Sequence, residues 1–167
     1  MNSTKTHVSY SELITFLKCR HQHKLRYTDK VRLDDEGLFG IFGTVVHSAC
    51  EEIVTGAKPV ANYQQFFTKL FVKKISEIKR ELDADDKNLL LDLNQQGGKI
   101  IPYVLDSLKS YFGKYEVVST EELLYEPFVE DGIKFKGYVD LVLKVGDKYH
   151  ILDWKTSTWG WDARKKS

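Results

Sequence analysis

Two carboxylates and a lysine near the end of the sequence could together bind a divalent cation and act on a phosphate ester. They are Asp140, Asp153 and Lys155, and a two-residue turn signal, Gly146-Asp147, lies between them. If that turn joins two strands of a hairpin, Asp140 lies directly across from Asp153. Because side chains alternate along a strand, Lys155 then shares their face.

Two like charges on opposed residues destabilise a sheet unless something compensates them. A cation would do so, since Mg²⁺ typically takes one or two carboxylates together with water and phosphate oxygens. The ammonium of Lys155 could then neutralise charge on a phosphate or orient an attacking water. The alternative is a surface hairpin with three solvated charges. The register and the Gly-Tyr-x-Asp context of Asp140 favour the cation site.

Two predicted hairpins position these groups. In the second of them, Lys134–Lys144 and Lys148–Lys155 are the strands, and Val145 faces Lys148. Before it, Tyr115–Val118 and Glu122–Val129 are expected to be extended, and a two-residue hairpin turn, Asp131-Gly132, leads into the Asp140 strand.

With that turn, Leu123 faces Asp140, and Glu121 falls on the same side of the sheet. Glu121 is therefore a possible additional acidic group at the site. The alternative is a solvated glutamate at a strand end, because bulges shift register.

The N-terminal half of the chain is predicted to be helical. A first helix begins at Ser9, and Glu12 closes a capping box. His21 and His23 do not share a helix face, so we expect surface histidines rather than metal ligands. The remaining predicted segments are a glycine-containing linker, two helices, a region of short helices with a loop, and a last helix: Asp34–Gly43, Thr44–Thr55, Asn62–Arg80, Glu81–Gly98 and Ile101–Phe112.

Local charge says more about partners than total charge does. The chain has 25 Lys and Arg against 24 Asp and Glu, so its composition does not indicate a nucleic-acid binder. The first helical region, however, carries four basic residues that could contact DNA phosphates or form a solvated face, namely Lys18, Arg20, Lys24 and Arg26. On the next predicted helix, His47 and Glu51 are four residues apart and are therefore neighbours.

Composition and cysteine content place the chain in a broad class. Its 167 residues predict one globular domain with a real core. Its two cysteines suggest no disulfide framework, and no signal peptide or long apolar run is evident. We therefore expect a cytoplasmic protein, or one in the host cytoplasm if phage-encoded, with no membrane partner.

Three segments, one of them the hairpin that contains Asp140 and Lys155, together carry a family resemblance. GYVDLV and LDWKTS look like the Gly-x-x-Asp and (Asp/Glu)-x-Lys motifs of the PD-(D/E)XK nuclease superfamily. FGTVVHSACEE resembles the helix motif that contains an active-site histidine in the RecB-like branch, and SYSELITFLKCRHQHKLRY is similar to the opening segment of that branch. Their order and spacing match over nearly the whole chain.

The resemblance implies a fold and a reaction. The implied fold is α/β, with a restriction-endonuclease-like core in which helices flank a mixed β-sheet, and with a helical N-terminal half. His47, Asp140 and Asp153 would contribute metal ligands, and Lys155 would be the catalytic lysine. Glu121 and Glu51 are possible additional acidic residues. The implied reaction is Mg²⁺- or Mn²⁺-dependent hydrolysis of DNA phosphodiester bonds, and His47 adds a hint toward Mn²⁺.

The sequence departs from the family pattern in two places. The family continues after the lysine strand with a helix bearing Gln-x-x-x-Tyr and a further strand, whereas this sequence ends at Ser167. We therefore expect residues 1–167 to form one nuclease domain without these elements: a fragment, a minimal nuclease, or a subunit completed by a second chain. Some branch members bind an iron–sulfur cluster, but Cys19 has no late cysteine partners here, so we expect no cluster and a buried thiol.

Two classes of function remain open at this point. The first is a DNA nuclease, with exonuclease favoured by the resemblance, that acts in recombination, repair or phage DNA processing. The second is a non-hydrolytic DNA-binding or assembly module that works with a helicase or recombination partner. Structure-specific junction cleavage shares the chemistry of the first but normally needs a symmetric dimer.

Overall fold

The computed structural model of the chain describes residues 6–31, 37–56, 60–127 and 132–156. It confirms the α/β fold class, because helices flank a mixed sheet of four strands. Parts of the predicted linker and of the first hairpin turn lie outside the described residues, as does the end of the sequence after Thr156.

Ten strands and helices follow one another in the described residues: β1 (His7–Ser9), α1 (Tyr10–Lys18), α2 (Arg20–His23), α3 (Leu38–Thr55), α4 (Tyr63–Ile75), α5 (Ala84–Ile100), α6 (Val104–Phe112), β2 (Glu116–Pro127), β3 (Lys134–Val145) and β4 (Lys148–Leu152). A π-helical turn, Lys24–Thr28, continues α2, and a 3₁₀ turn, Ile101–Tyr103, leads into α6.

Strand β3 is the centre of the sheet. β2 pairs with it antiparallel along one edge. The other edge is shared, because β1 pairs in parallel with residues 134–136 and β4 pairs antiparallel with residues 141–145. Residues 137–140 therefore have no strand beside them on that edge within the described part of the chain.

The register of the β3–β4 hairpin is as predicted near the turn. Val145 lies opposite Lys148, and the pairing continues to Leu141 opposite Leu152. The predicted extension of the strand to Lys155 is wrong, because β4 ends at Leu152.

The register of the β2–β3 hairpin differs from the prediction by two residues. Leu123 lies opposite Tyr138 rather than Asp140, and Pro127 lies opposite Lys134. Six residues, 128–133, therefore connect the strands where a two-residue turn was expected. The two predicted strands are one continuous strand, β2, with a register shift between Val117 and Ser119.

Helix α3 is the core helix. It begins at Leu38, six residues before the predicted start, because Leu38, Ile41 and Phe42 are buried and their burial outweighs the low helix propensity of Gly40 and Gly43. Its length and hydropathy would also allow it to cross a membrane, but half of it is buried inside the fold. Its last residue, Thr55, is as predicted, and Gly56 caps it with φ 62°.

Helix α5 replaces the short helices and loop that the acidic residues and the Gly97-Gly98 pair predicted. A capping box between Asp83 and Asp86 starts it, and both glycines lie inside it. A Cβ added to Gly97 would lie 2.1 Å from the buried ring of Phe67, so glycine is what lets α4 and α5 approach closely. Helix α4 ends at Ile75, five residues earlier than predicted.

We expect Gly97→Ala to lower the free energy of unfolding by about 1–3 kcal/mol, because the added methyl group overpacks the Phe67 contact. Gly98→Ala is the matched control. There the Cβ would lie 2.9 Å from the flexible Gln64 side chain, and alanine gains helix propensity. Urea unfolding of both variants measures the difference, and equal stability of the two would contradict this account of the α4–α5 contact.

Candidate metal centre

Three side chains from three elements meet at one point. They are His47 of α3, Glu121 of β2 and Asp140 of β3, and one ligand atom from each lies within 4.8 Å of the others. His47 Nδ1 lies 3.4 Å from Asp140 Oδ2. An imidazole nitrogen and two carboxylates form a donor set suited to a divalent cation.

The dimensions of this group fit one ion. Opposite ligands of Mg²⁺ lie about 4.2 Å apart, because each metal–oxygen distance is about 2.1 Å. Small movements of the side chains would therefore bring the three atoms around a single cation. Within the described residues, His47, Glu121 and Asp140 are the residues that form such a group.

Asp140 is the most buried member of the group, with 11% of its side chain exposed. Its Oδ2 accepts a hydrogen bond of 2.7 Å from the backbone N–H of Trp154. This bond explains why β4 ends at Leu152, since the amide that would continue the ladder donates to a side chain instead. It also keeps the carboxylate satisfied in a buried position.

Glu121 reaches the group through an unusual backbone. Its φ is 48°, in the left-handed region that costs a residue with a Cβ about 1–2 kcal/mol. Its neighbours Thr120 and Glu122 both pair with β3, whereas Glu121 does not. The strand is thus distorted at the residue that supplies a candidate ligand, a common location for backbone strain.

Helix α3 is tied to β2 beside this residue. Glu51, one helical turn after His47, accepts a hydrogen bond of 3.4 Å from the hydroxyl of Thr120. The predicted acidic residue Glu51 therefore lies next to the group, where its contact holds α3 against the strand. Another neighbour, Gly43, lies one turn before His47, and a Cβ there would lie 3.0 Å from the Thr156 hydroxyl.

The local electrostatics are negative. Glu121 is largely exposed, but partial desolvation of its carboxyl raises its pKa, and the charges of Asp140 and Glu51 raise it further. Burial, reinforced by the Asp140 charge, also raises the pKa of the Cys50 thiol to about 12. Cys50 therefore remains a protonated core side chain. A bound cation would remove the repulsion among the carboxylates.

Asp153 and Lys155 were predicted to lie on the strand paired with β3, on the same face as Asp140, and this prediction is wrong. Beyond Leu152 the chain has left β4, so Asp153 is not paired across from Asp140. Its carboxylate forms an ion pair of 2.7 Å with Lys155 Nζ, and more than half of each side chain is exposed. The structure therefore brings His47, Glu121 and Asp140 together and leaves Asp153 outside that group.

The predicted DNA-binding residues lie on the N-terminal helical segment and are exposed. Two of the four stack on aromatic rings, since the Arg20 guanidinium is 5.4 Å from the Phe16 ring and that of Arg26 is 6.0 Å from Tyr27. Lys18 lies in the last turn of α1, and Lys24 forms an exposed ion pair with Asp29.

One pair of this segment was missed by the sequence reasoning. Glu12 is buried, and its carboxylate lies 2.8 Å from His23 Nε2, so His23 is not the surface histidine expected. The expected Ser9 cap is present, with the Glu12 amide donating to it. Glu12 and His23 are eleven residues apart, and the helix is broken at Cys19 between them, so no helical periodicity in the sequence indicates their contact. Cys19 itself is exposed, which corrects the expected buried thiol.

A divalent cation should stabilise the folded chain, because it binds the assembled group and not the unfolded chain. At a concentration one hundred times its dissociation constant, Mn²⁺ or Mg²⁺ is expected to add about 2.7 kcal/mol to the free energy of unfolding. Asp140→Asn should abolish this gain. Asp147→Asn, in the exposed β3–β4 turn, should retain it, and thermal unfolding with and without metal compares the two.

Without metal, Glu121→Gln should be more stable than the unaltered chain at pH 7, by less than about 1 kcal/mol because the site is partly solvated. The raised pKa of Glu121 means that folding favours its protonated form. The penalty for its charge is therefore full above the folded pKa and vanishes below the unfolded one. Urea unfolding in EDTA from pH 7 to pH 4 should show the two stabilities converge as pH falls.

Comparison with known proteins supplies the family. A search of curated proteins finds no significant match. A family model described as the PD-(D/E)XK nuclease superfamily matches residues 7–166, which covers every described strand and helix, including those that carry His47, Glu121 and Asp140. The chain belongs to the PD-(D/E)XK nuclease superfamily.

Proposed function

We propose that the protein is a divalent-metal-dependent deoxyribonuclease that hydrolyses phosphodiester bonds. The observation that carries this proposal is the convergence of His47, Glu121 and Asp140 in a chain of a nuclease superfamily. Two carboxylates and an imidazole are suited to Mg²⁺ or Mn²⁺, and the imidazole favours Mn²⁺.

In this proposal His47, Glu121 and Asp140 would hold the cation. A bound cation supplies Lewis-acid polarisation of a phosphoryl oxygen and makes a water more acidic. His47 offers Nδ1, which already lies near Asp140. Asp140 is kept in place by the Trp154 amide, so it needs little reorganisation to act as a ligand.

Lys155 is the proposed catalytic lysine. Its ammonium is exposed and pairs with Asp153, so the two can act on a phosphate that arrives from solvent. The lysine would donate to a phosphoryl oxygen or orient the attacking water. Asp153 would join the metal ligands after releasing Lys155 to the substrate.

The N-terminal helical segment is the proposed contact for the DNA backbone. Arginines whose guanidinium groups stack on aromatic rings, as Arg20 and Arg26 do, hold a planar donor array that suits phosphate. Lys18 and Lys24 add positive charge on the same segment.

The resemblance to the RecB-like branch supports the finer proposals. We favour exonuclease action in recombination, repair or phage DNA processing, in the cytoplasm of the cell or of a phage host. A helicase, a recombination protein or a second chain that completes the fold is the proposed partner.

The test is cleavage of DNA labelled at one end, single- and double-stranded, with Mg²⁺, Mn²⁺ or EDTA. Asp140→Asn and Lys155→Ala should each lower the cleavage rate by at least about 100-fold, because each removes a charge from the transition state. Lys148→Ala is the control, since this exposed lysine begins β4 on the far side of the hairpin. Mononucleotide products would indicate an exonuclease, and internal fragments an endonuclease.

A non-hydrolytic DNA-binding module is the second candidate. The observation that favours it is the position of Asp153, which pairs with Lys155 outside the group of three ligands. Metal-stimulated binding without cleavage under any metal would support this candidate and overturn the nuclease.

A further inference from the structure

The β2–β3 hairpin extends beyond the metal centre as an exposed arm. Every residue of β2 from Glu121 to Pro127 is exposed, whereas the other end of β3 contains the fully buried Leu141 and Leu143. We call residues 122–127 and 132–138 the hairpin arm; residues 135–137 within it are half-buried and the others are exposed. It carries large side chains that make no part of the hydrophobic core, among them Leu123 and Tyr138, each at least half exposed.

One face of the hairpin arm continues the face of Asp140. Because side chains alternate along β3, Lys134, Lys136 and Tyr138 project on the same side as Asp140. The ladder places Leu123 opposite Tyr138 and Tyr125 opposite Lys136, so these two side chains share that face.

The ring contacts support this arrangement. The Lys134 ammonium lies 4.7 Å from the centre of the Tyr125 ring, and that of Lys136 lies 5.7 Å from the Tyr138 ring. The ring of His7, on β1, lies edge-on to Tyr125. Cations and aromatic rings are therefore interleaved along this face.

The charges of the two faces differ in sign. Between the metal centre and the tip, the described residues of the Asp140 face carry two lysines and no carboxylate. The acidic residues of the arm, Glu122 and Glu126, alternate to the other face. A ligand that follows the Asp140 face meets positive charge and aromatic surfaces until it reaches the carboxylates of the site.

We propose that this face of the hairpin arm binds single-stranded DNA and leads it to the metal centre. Lysines spaced along a groove or face neutralise phosphates, and exposed aromatic rings stack on unpaired bases, which a duplex does not offer. The proposal rests on the proposed function for what happens at the metal centre, but the binding surface stands apart from catalysis.

The test is fluorescence anisotropy of a labelled dT20 oligonucleotide and of a 20-base-pair duplex in EDTA, where no cleavage occurs. Tyr138→Leu should weaken dT20 binding by roughly 5- to 100-fold, because one stacking platform is lost, and should leave duplex affinity within 2-fold. Lys134→Gln with Lys136→Gln should lower the slope of log affinity against log salt by about 1.4, since two phosphate contacts disappear.

The control uses a similar pair at the other end of β3. The Lys144 ammonium lies 5.9 Å from the centre of the exposed Tyr149 ring, so Lys144→Gln with Tyr149→Leu removes an equivalent cation and ring outside the arm. This control should bind dT20 within 2-fold of the unaltered chain. Circular dichroism and thermal unfolding establish that every variant is folded.

Three results would overturn the proposal: folded arm variants that bind dT20 as the unaltered chain does, a control that loses as much affinity as they do, or equal losses for duplex and single strand. Hydrolysis of bis(p-nitrophenyl) phosphate by the unaltered chain reports separately on the metal centre. Loss of dT20 affinity in the arm variants, without such hydrolysis, supports the binding surface and counts against the nuclease.

Discussion

The hydrogen bond from the Trp154 amide to the Asp140 carboxylate determines where the sheet stops and where the candidate centre begins. A charged acceptor makes this bond worth about 1.5–3 kcal/mol, more than a ladder bond between neutral groups. The side chain of Trp154 packs against the core, so the amide is held in position. The segment that contains Asp153 and Lys155 is consequently outside the ladder, and both side chains reach solvent.

Several carboxylates lie close together near that bond, and their mutual repulsion does not stabilise the fold. Partial desolvation and the nearby charges of Asp140 and Glu51 raise the pKa of Glu121. Glu121 also has a strained backbone at this position. A protein selected only for stability has better side chains for these positions. A cation bound by these groups would offset their mutual repulsion.

Features that depend on interactions between residues close in the sequence could be predicted well. The Gly146-Asp147 turn set the register of the β3–β4 hairpin because a two-residue loop leaves little freedom, and Asp140 and His47 could be named from their motifs. The end of β4 could not be foreseen, since it depends on a side chain that competes with a backbone carbonyl. The position of Glu121 relative to β3 was predicted two residues out of register, because a six-residue connection between β2 and β3 does not fix their register.

The predicted ends of the helices were wrong where tertiary packing overrides helix propensity. Gly43 and Gly97 are unfavourable in an isolated helix, yet both lie inside helices that packing stabilises, at points where another part of the chain occupies the space that a Cβ would take. The burial of Glu12 against His23 likewise depends on two helical pieces folding back on each other, for which the spacing of the two residues gives no sign.

The parallel pairing of β1 with β3 has a consequence for how the molecule forms. His7 to Ser9 must find residues 134–136, more than a hundred positions later in the chain, and closing so long a loop is entropically costly and slow. During synthesis the N-terminal strand has no sheet to join until β3 has been made. The basic helical segment that follows β1 contacts both β1 and β3, so we expect its final position on the sheet to depend on the strand that carries Asp140.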